Sequence, residues 1–224
     1  MRYFLSDLHL NHKNVINFER TQFNTIEEHD AYIEKVIKEL AKKIKKRSSE
    51  DEVWILGDFG SLNYLYLIDW LKEAGAKTYF VYGNHDKESD IEIFKRHFDK
   101  VYLYPVYLSQ KLVVSHCPVA VWPEGQINVH GHLHGSKLSD PNHVCVSIHV
   151  INYQPISDKY LSSVYSKLPK LSTRFLYEPW AADYQFTQPK EGIIMDYNNN
   201  IDLSASRVLQ KINAQKSSKG ILNE

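Results

Sequence analysis

The sequence predicts an α/β fold in which a βαβαβ half is followed by a half rich in strands. In the first half, apolar runs of strand length alternate with segments of helical period. Four more strand-like runs then follow in close succession. The chain has 224 residues, of which 43% are hydrophobic, enough to bury a sizeable core in one domain with at most a small appendage.

The first half contains three predicted strands joined by helices. The strands are near-continuous apolar runs, as expected for strands buried on both faces of a sheet: RYFLS, EVWILG and TYFVYG. Thr25 and Glu28 form a capping box that predicts the start of the first helix. This helix ends in the basic run KKIKKR, and its apolar face consists of Ile26, Ile33, Ile37, Leu40 and Ile44.

Two further helices and four strands complete the prediction. The second helix spans about residues 62–74 and ends at Gly75. The third begins at a Ser89/Glu92 capping box and directs inward Ile91, Phe94 and Phe98. The later strands are VYLYPVYLS, KLVVSH, QINVHG and HVCVSIHVI.

Composition narrows the class of protein. Lys and Arg together number 27, as do Asp and Glu, so no large positive field marks nucleic acid or anionic membrane as an obligate partner. The chain starts directly with a strand, and no apolar run is long enough to span a bilayer. Cys117 and Cys145 are too few for a disulfide framework. We therefore expect a cytoplasmic protein with no membrane partner.

Side chains that bind metals follow each of the apolar strands. In an open α/β sheet ligands bind at the carboxyl edge, so residues distant in sequence can converge there. A set of imidazoles and carboxylates with one amide oxygen suits Mn, Fe, Zn or Ni better than Ca or Mg. The residues concerned are Asp7, His9, Asp58, Asn84, His85, His116, His132 and His134.

These residues spell D-x-H, G-D, G-N-H-D, a lone His and G-H-x-H, in that order, between Met1 and about Tyr160. The pattern resembles the calcineurin-like metallophosphoesterases. The resemblance implies a four-layer αββα sandwich of two mixed sheets flanked by helices. It also implies two divalent metal ions, with manganese expected and iron, zinc or nickel as alternatives.

The resemblance also assigns a role to each residue. Asp7, His9 and His134 would hold the first ion, and Asn84, His116 and His132 the second. Asp58 would bridge the two ions, and His85 would be the general acid. Taken singly, each could instead be a turn residue, a helix cap or a buried polar group.

The chemistry of such a site supports phosphate ester hydrolysis. Two metals can clamp the attacking and leaving oxygens and lower the pKa of bound water, so that hydroxide attacks near neutral pH. Because Asn84 is neutral, two divalent ions retain an excess of positive charge for a phosphate anion. We expect a metal-bridging hydroxide to hydrolyse a small phosphodiester or phosphomonoester, including nucleotides.

The loop HLNHKNVINFERTQF follows the first ligands and resembles that of small bacterial and phage members of the family. His12 and Asn14 are candidates for substrate contact, with a loop held by its own hydrogen bonds as the alternative. Arg20 is a weaker candidate, expected to be exposed. His130 is interpreted as a support for the ligands, and Asp86 either orients its loop or caps the next segment.

Residues 1–170 are assigned to the catalytic domain and residues 171–224 to an appendage. The latter region is rich in aromatic residues and is expected to pack on the domain or mediate homo-oligomer formation, with a substrate lid as the alternative. Its last residues are expected to be disordered.

Two other functions remain as alternatives to hydrolysis of a small phosphate ester. One is a nuclease or nucleic-acid end phosphatase, which the neutral net charge of the chain disfavours. The other is a non-catalytic scaffold on the same fold.

Overall fold

In the computed structural model the described residues are 1–47, 50–120, 126–136, 138 and 142–165. They form nine strands: β1 Arg2–Leu5, β2 Glu52–Leu56, β3 Lys77–Val81, β4 Lys100–Tyr102, β5 Val106–Ser109, β6 Leu112–Ser115, β7 Ile127–His130, β8 His143–Cys145 and β9 Ile156–Ser157. The helices are α1 Val15–Phe18, α2 Ile26–Lys45, α3 Tyr66–Glu73, α4 Ile91–His97 and α5 Asp158–Tyr165, with 3₁₀ turns at Leu62–Tyr64 and Glu88–Asp90.

The strands form two mixed sheets. The first has the order β4-β3-β2-β1-β9, in which only β9 runs antiparallel to its neighbour. The second has the order β5-β6-β7-β8, in which β5 is antiparallel to β6. Two mixed sheets with flanking helices confirm the predicted α/β fold.

Alternate residues of the first sheet enter two different cores. Tyr3 and Leu5 of β1 pack with α2, α3 and α4, whereas Phe4 between them packs toward the second sheet. Successive side chains of a strand point to opposite faces of the sheet, so a strand between two cores needs apolar residues at both odd and even positions. The predicted burial on both faces is thereby confirmed, and the apolar side chains predicted for α2, Ile26, Ile33, Ile37, Leu40 and Ile44, are all buried.

The helix ends follow the predicted chemistry only in part. The Thr25 hydroxyl accepts the Glu28 N–H at 3.1 Å, as a capping box requires. The Glu28 carboxylate, however, accepts the N–H of Asn24 at 2.9 Å instead of the N–H of Thr25. At α4 the predicted capping box is wrong. Ser89 lies inside a 3₁₀ turn and donates its hydroxyl to Asp90 at 3.0 Å, and α4 has no side-chain cap among the described residues.

Two predicted strands are shorter than their apolar runs. VYLYPVYLS divides into β4 and β5, which belong to different sheets, and Pro105 in the break lacks the N–H that a continuous ladder needs. HVCVSIHVI is a strand only over β8, after which the chain turns through residues 148–153. In that turn Asn152 and Tyr153 have φ values of 50° and 57°, which is incompatible with extended backbone.

The two sheets join where β1 and β8 end. The Ser6 N–H donates to Val146 O at 3.0 Å, and Ser6 O accepts the Ile148 N–H at 2.9 Å. This bridge brings the carboxyl ends of strands from both sheets together. The proposed appendage, 171–224, lies outside the described residues. Among the residues that the structure describes, no helix is both long enough and apolar enough to cross a bilayer.

Candidate metal centre

Several predicted ligands lie on backbone that L-amino acids seldom adopt. Such residues cost on the order of 1–3 kcal/mol each and concentrate at functional sites, where the surrounding structure holds them. A Cβ on Gly131 would overlap the Asp7 carboxylate, so this backbone approach also requires glycine. The left-handed residues here are Asp7 (φ 56°), His9 (49°), Asp58 (54°), His132 (66°) and His134 (48°).

Three of the predicted ligands form a first cluster around the Asp7 carboxylate. Asp7 Oδ1 lies 3.8 Å from His9 Nε2 and 3.8 Å from His134 Nε2. Its other oxygen, Oδ2, accepts hydroxyl hydrogen bonds from Ser6 at 2.5 Å and Ser147 at 2.8 Å. These bonds fix the carboxylate while leaving Oδ1 directed at the two imidazoles.

Three more form a second cluster around the Asn84 amide oxygen. Oδ1 of Asn84 lies 2.8 Å from His116 Nε2 and 2.9 Å from His132 Nδ1. His116 Nδ1 donates to the carbonyl oxygen of Leu56 at 2.8 Å, so in the neutral ring Nε2 carries the lone pair. The Nε2 lone pair and the Asn84 amide oxygen are both acceptors and cannot hydrogen-bond to each other. Two acceptors this close are arranged as two ligands of one cation are.

Asp58 lies between the two clusters. Its Oδ2 is 3.5 Å from His9 Nε2 and 3.4 Å from His116 Nε2. Its Oδ1 accepts the backbone N–H of His85 at 2.9 Å. Oδ2 is buried and has no hydrogen bond within the described part of the chain. An unsatisfied buried carboxylate oxygen is costly unless a cation binds it.

The donor spacings are close to those between the ligands of one divalent ion. Ligand atoms about 2.1 Å from one metal lie ~3.0 Å apart at a right angle and ~3.4 Å apart at the tetrahedral angle. The separations in the second cluster, 2.8 and 2.9 Å, lie just below this range, and those in the first, both 3.8 Å, lie above it. The distances from Asp58 Oδ2, 3.4 and 3.5 Å, lie at its upper end. The structure therefore brings the seven predicted ligands together, while their assignment to particular ions stays a prediction.

The ionisation states of the carboxylates and imidazoles at the site also favour the binding of cations. Burial raises the pKa of Asp58 to about 6. Burial opposes ionisation of Asp7 as well, but neighbouring imidazoles, with His116 foremost, lower its pKa overall. Burial also lowers the pKa of His9, and that of His132 to about 4, so these rings are neutral near pH 7 and able to bind metal. Burial opposes the charged form of His116 as well, but Asp58 and Asp7 raise its pKa overall. Two buried carboxylates thus lie among imidazoles of which His9 and His132 are neutral.

His85 and His12 lie at the open side of the first cluster. The rings of His9 and His85 have centroids 5.4 Å apart, and those of His12 and His85 5.8 Å. His85 is exposed and His12 half-buried, and partial desolvation by the surrounding groups lowers the pKa of both rings. Asn14 is an exposed residue at the start of α1, so its substrate contact stays a prediction.

Arg20 lies beneath the centre, and the expectation that it is exposed is wrong. Its side chain is fully buried. Its guanidinium donates to Leu8 O at 2.9 Å and to Asp7 O, and contacts His29 Nε2 at 2.5 Å. The His29 ring in turn donates Nδ1–H to Asp30 at 2.8 Å. This position favours support of the first ligand loop over contact with substrate.

Asp86 connects the loops that carry Asp58 and Asn84. Its carboxylate accepts the N–H groups of Asp58 at 2.9 Å, Phe59 at 3.0 Å and Gly83 at 2.8 Å. These bonds match the interpretation that Asp86 orients the motif loop. His130 is buried beside the centre, with Nδ1 2.8 Å from Gly131 O.

Sequence reasoning missed four residues at the site. Ser6 and Ser147 hold the Asp7 carboxylate, and Glu19 and His149 lie beside His134. Ser6 adjoins a motif residue, but a lone serine carries no signal. His149 lies within an apolar run of the sequence, and only the turn after β8 brings it to the site.

Three comparisons bear on the identity of the chain. The family model described as calcineurin-like phosphoesterase matches residues 3–203. An uncharacterized protein of Methanocaldococcus jannaschii is 27% identical over 167 residues, which cover 69% of this chain and 85% of that protein. The crystal structure of a protein of unknown function from Aquifex aeolicus has a TM-score of 0.53 at 24% identity, covering 73% of this chain and 98% of that one, and it supports the fold alone.

Proposed function

Because the chain belongs to the calcineurin-like phosphoesterase family, we propose that it is a hydrolase that cleaves a small phosphate ester at a centre of two divalent metal ions. The observation that carries the proposal is the position of Asp58. Its buried Oδ2 lies 3.5 Å from an imidazole nitrogen of the first cluster and 3.4 Å from one of the second. A single carboxylate oxygen so placed suits a bridge between two ions.

The residues that would hold the ions divide as the two clusters do. The first ion would be held by Asp7, His9 and His134 and the second by Asn84, His116 and His132, with Asp58 shared. Bound divalent ions supply a hydroxide nucleophile near neutral pH and stabilise charge on the phosphate oxygens. Manganese is the expected metal, with iron, zinc and nickel as alternatives for this nitrogen-rich donor set.

Hydrogen bonds from neighbouring residues orient the proposed metal ligands. Ser6 and Ser147 hold one oxygen of the Asp7 carboxylate, and the carbonyl oxygen of Leu56 fixes the ring of His116. Hydrogen bonds of this kind select the ligating atom and typically change metal affinity or activity about 10–100-fold when removed. The ligands are thereby aimed before substrate arrives.

His85 is the proposed general acid. Its backbone N–H is held by Asp58, while its exposed ring faces the open side of the centre next to His9 and His12. A ring so placed can deliver a proton to a departing alkoxide. Such a step contributes about 10²- to 10⁴-fold in rate.

The proposed substrate is small. The chain has a formal net charge of zero, which leaves any phosphate binding to the local positive charge of the centre. Nucleotides, cyclic or linear, belong to this class, and long polyanions usually require several Lys and Arg contacts. We propose His12 and Asn14 as contacts to the phosphate group, because both lie on the loop behind His9.

A substrate panel with added Mn²⁺ tests this function. It compares cyclic nucleotides, nucleoside monophosphates, bis-p-nitrophenyl phosphate and short oligonucleotides with wild type, His116→Ala and His97→Ala. His97 is a matched control, since it pairs with Asp69 at 3.1 Å and belongs to neither cluster. We expect turnover of a small ester by wild type and His97→Ala, and its loss in His116→Ala. No turnover of any substrate would favour the scaffold, and preference for oligonucleotides would favour the nuclease.

A further inference from the structure

A second group of potential ligands lies next to the proposed centre. Glu19, at the end of α1, and His149, in the turn after β8, meet beside His134. One ligand atom from each of the three lies within 4.8 Å of the other two. Three distant segments of the chain thus bring two imidazoles and one carboxylate to one point.

The contacts of His149 leave its ring available. Both ring nitrogens are buried and have no hydrogen bond among the described residues. Nε2 nevertheless lies 3.4 Å from Glu19 Oε2, within the spacing found between the ligands of one ion. A buried imidazole whose nitrogens make no hydrogen bond, and whose Nε2 has only this 3.4 Å contact, is costly unless something binds it.

His134 has a nitrogen left over as well. Nε2 faces Asp7 in the first cluster, whereas Nδ1 is buried without a hydrogen bond within the described part of the chain. The rings of His134 and His149 have centroids 5.7 Å apart. A Cβ on Gly135 would lie 3.7 Å from Glu19 Oε2, which places this carboxylate against the motif loop.

We propose that Glu19, His149 and His134 form a third divalent cation site at the rim of the centre. Its two nitrogens and one oxygen suit Zn²⁺ better than Mg²⁺ or Ca²⁺. Three protein ligands leave a fourth position open for water or a substrate oxygen. The site goes beyond the proposed function, which requires only the two ions of the main centre.

The third ion binds more weakly than the other two. Glu19 is the only carboxylate of the site, and its side chain is 34% exposed. His134 also faces Asp7 through Nε2, so its ring is shared with the first cluster. The positive charge of Arg20, which follows Glu19 in the chain, also opposes a cation here. The site therefore fills at zinc concentrations above those that fill the main centre.

Equilibrium dialysis of the full chain against buffered Zn²⁺ tests the site without any activity measurement. We expect wild type to bind two ions at low zinc and a third at higher zinc. His149→Ala and Glu19→Gln should each lose only the third ion. His97→Ala is the control, since its histidine also pairs with a carboxylate but lies outside both groups, and it should bind three. Glu19→Gln keeps the shape of its side chain and covers the case in which His149→Ala fails to fold.

The outcomes separate this site from the main centre. A plateau at two ions in wild type overturns the third site and leaves the proposed function intact. A third ion retained in both variants also overturns it, as does the loss of more than one ion from Glu19→Gln. Asp58→Asn in the same dialysis tests the main centre independently, since it should release the ions bound at low zinc.

Discussion

Replacing Arg20 by methionine should destabilise the fold measurably. The guanidinium donates to two buried carbonyl oxygens, those of Asp7 and Leu8. Hydrogen bonds to charged groups contribute about 1.5–3 kcal/mol each, so their joint loss amounts to ~3–6 kcal/mol. Methionine avoids the cost of burying a charge, so we expect the lower end, a decrease of about 3 kcal/mol in the free energy of unfolding.

Urea titration followed by circular dichroism measures this change. Arg96→Met is the matched control, because Arg96 is exposed on α4 and its replacement should change the free energy of unfolding by under about 0.5 kcal/mol. Arg20→Met should also retain less metal, since the two carbonyls lie on the loop between Asp7 and His9. A destabilisation below about 1 kcal/mol would refute the inference that Arg20 holds this loop.

Three further predictions concern the acid, the motif loop and the C-terminal segment. His85→Ala should keep both metals and lose about 10²- to 10⁴-fold in rate on an alkyl or nucleoside ester but much less on a p-nitrophenyl ester; parallel dependences of rate on leaving-group pKa, with chemistry rate-limiting, would exclude His85 as the acid. Gly131→Ala should lower metal content, because the added methyl overlaps the Asp7 carboxylate, whereas Gly135→Ala should leave the main centre's metals in place; equal metal contents would contradict this. Deleting residues 204–224 should leave the metals bound, which metal analysis checks while light scattering measures any change in oligomeric state; a folded truncation without metal would show that the tail supports the site.

The buried strands and the apolar face of α2 could be predicted, because the spacing of apolar residues along the chain indicates both. Phe4 and Leu5 are consecutive apolar residues that enter different cores, which matches a strand buried on both faces. Ile33 and Ile37 lie four residues apart and therefore share one face of α2. The break at Pro105 could not be predicted with the same certainty, since apolar residues flank it on both sides. Whether one apolar run serves one sheet or two depends on the register of strands that lie far apart in sequence.

The predicted ligands could be found because each follows a strand in a recognisable motif. Arg20 and His149 could not be placed in the same way. The burial of Arg20 depends on the carbonyl groups that left-handed Asp7 exposes beneath its loop, and the position of His149 depends on the joint between the two sheets at Ser6 and Ser147. Both are consequences of tertiary structure with no local pattern.

Elemental analysis of purified Asp58→Asn, beside wild type and His9→Ala, tests the shared metal centre most directly. After removal of loosely bound ions, wild type should retain two metals. His9→Ala should chiefly lose one, whereas Asp58→Asn should lower the occupancy of both, because the buried Oδ2 lies between the two clusters. Two tightly held metals in Asp58→Asn would contradict the bridging role.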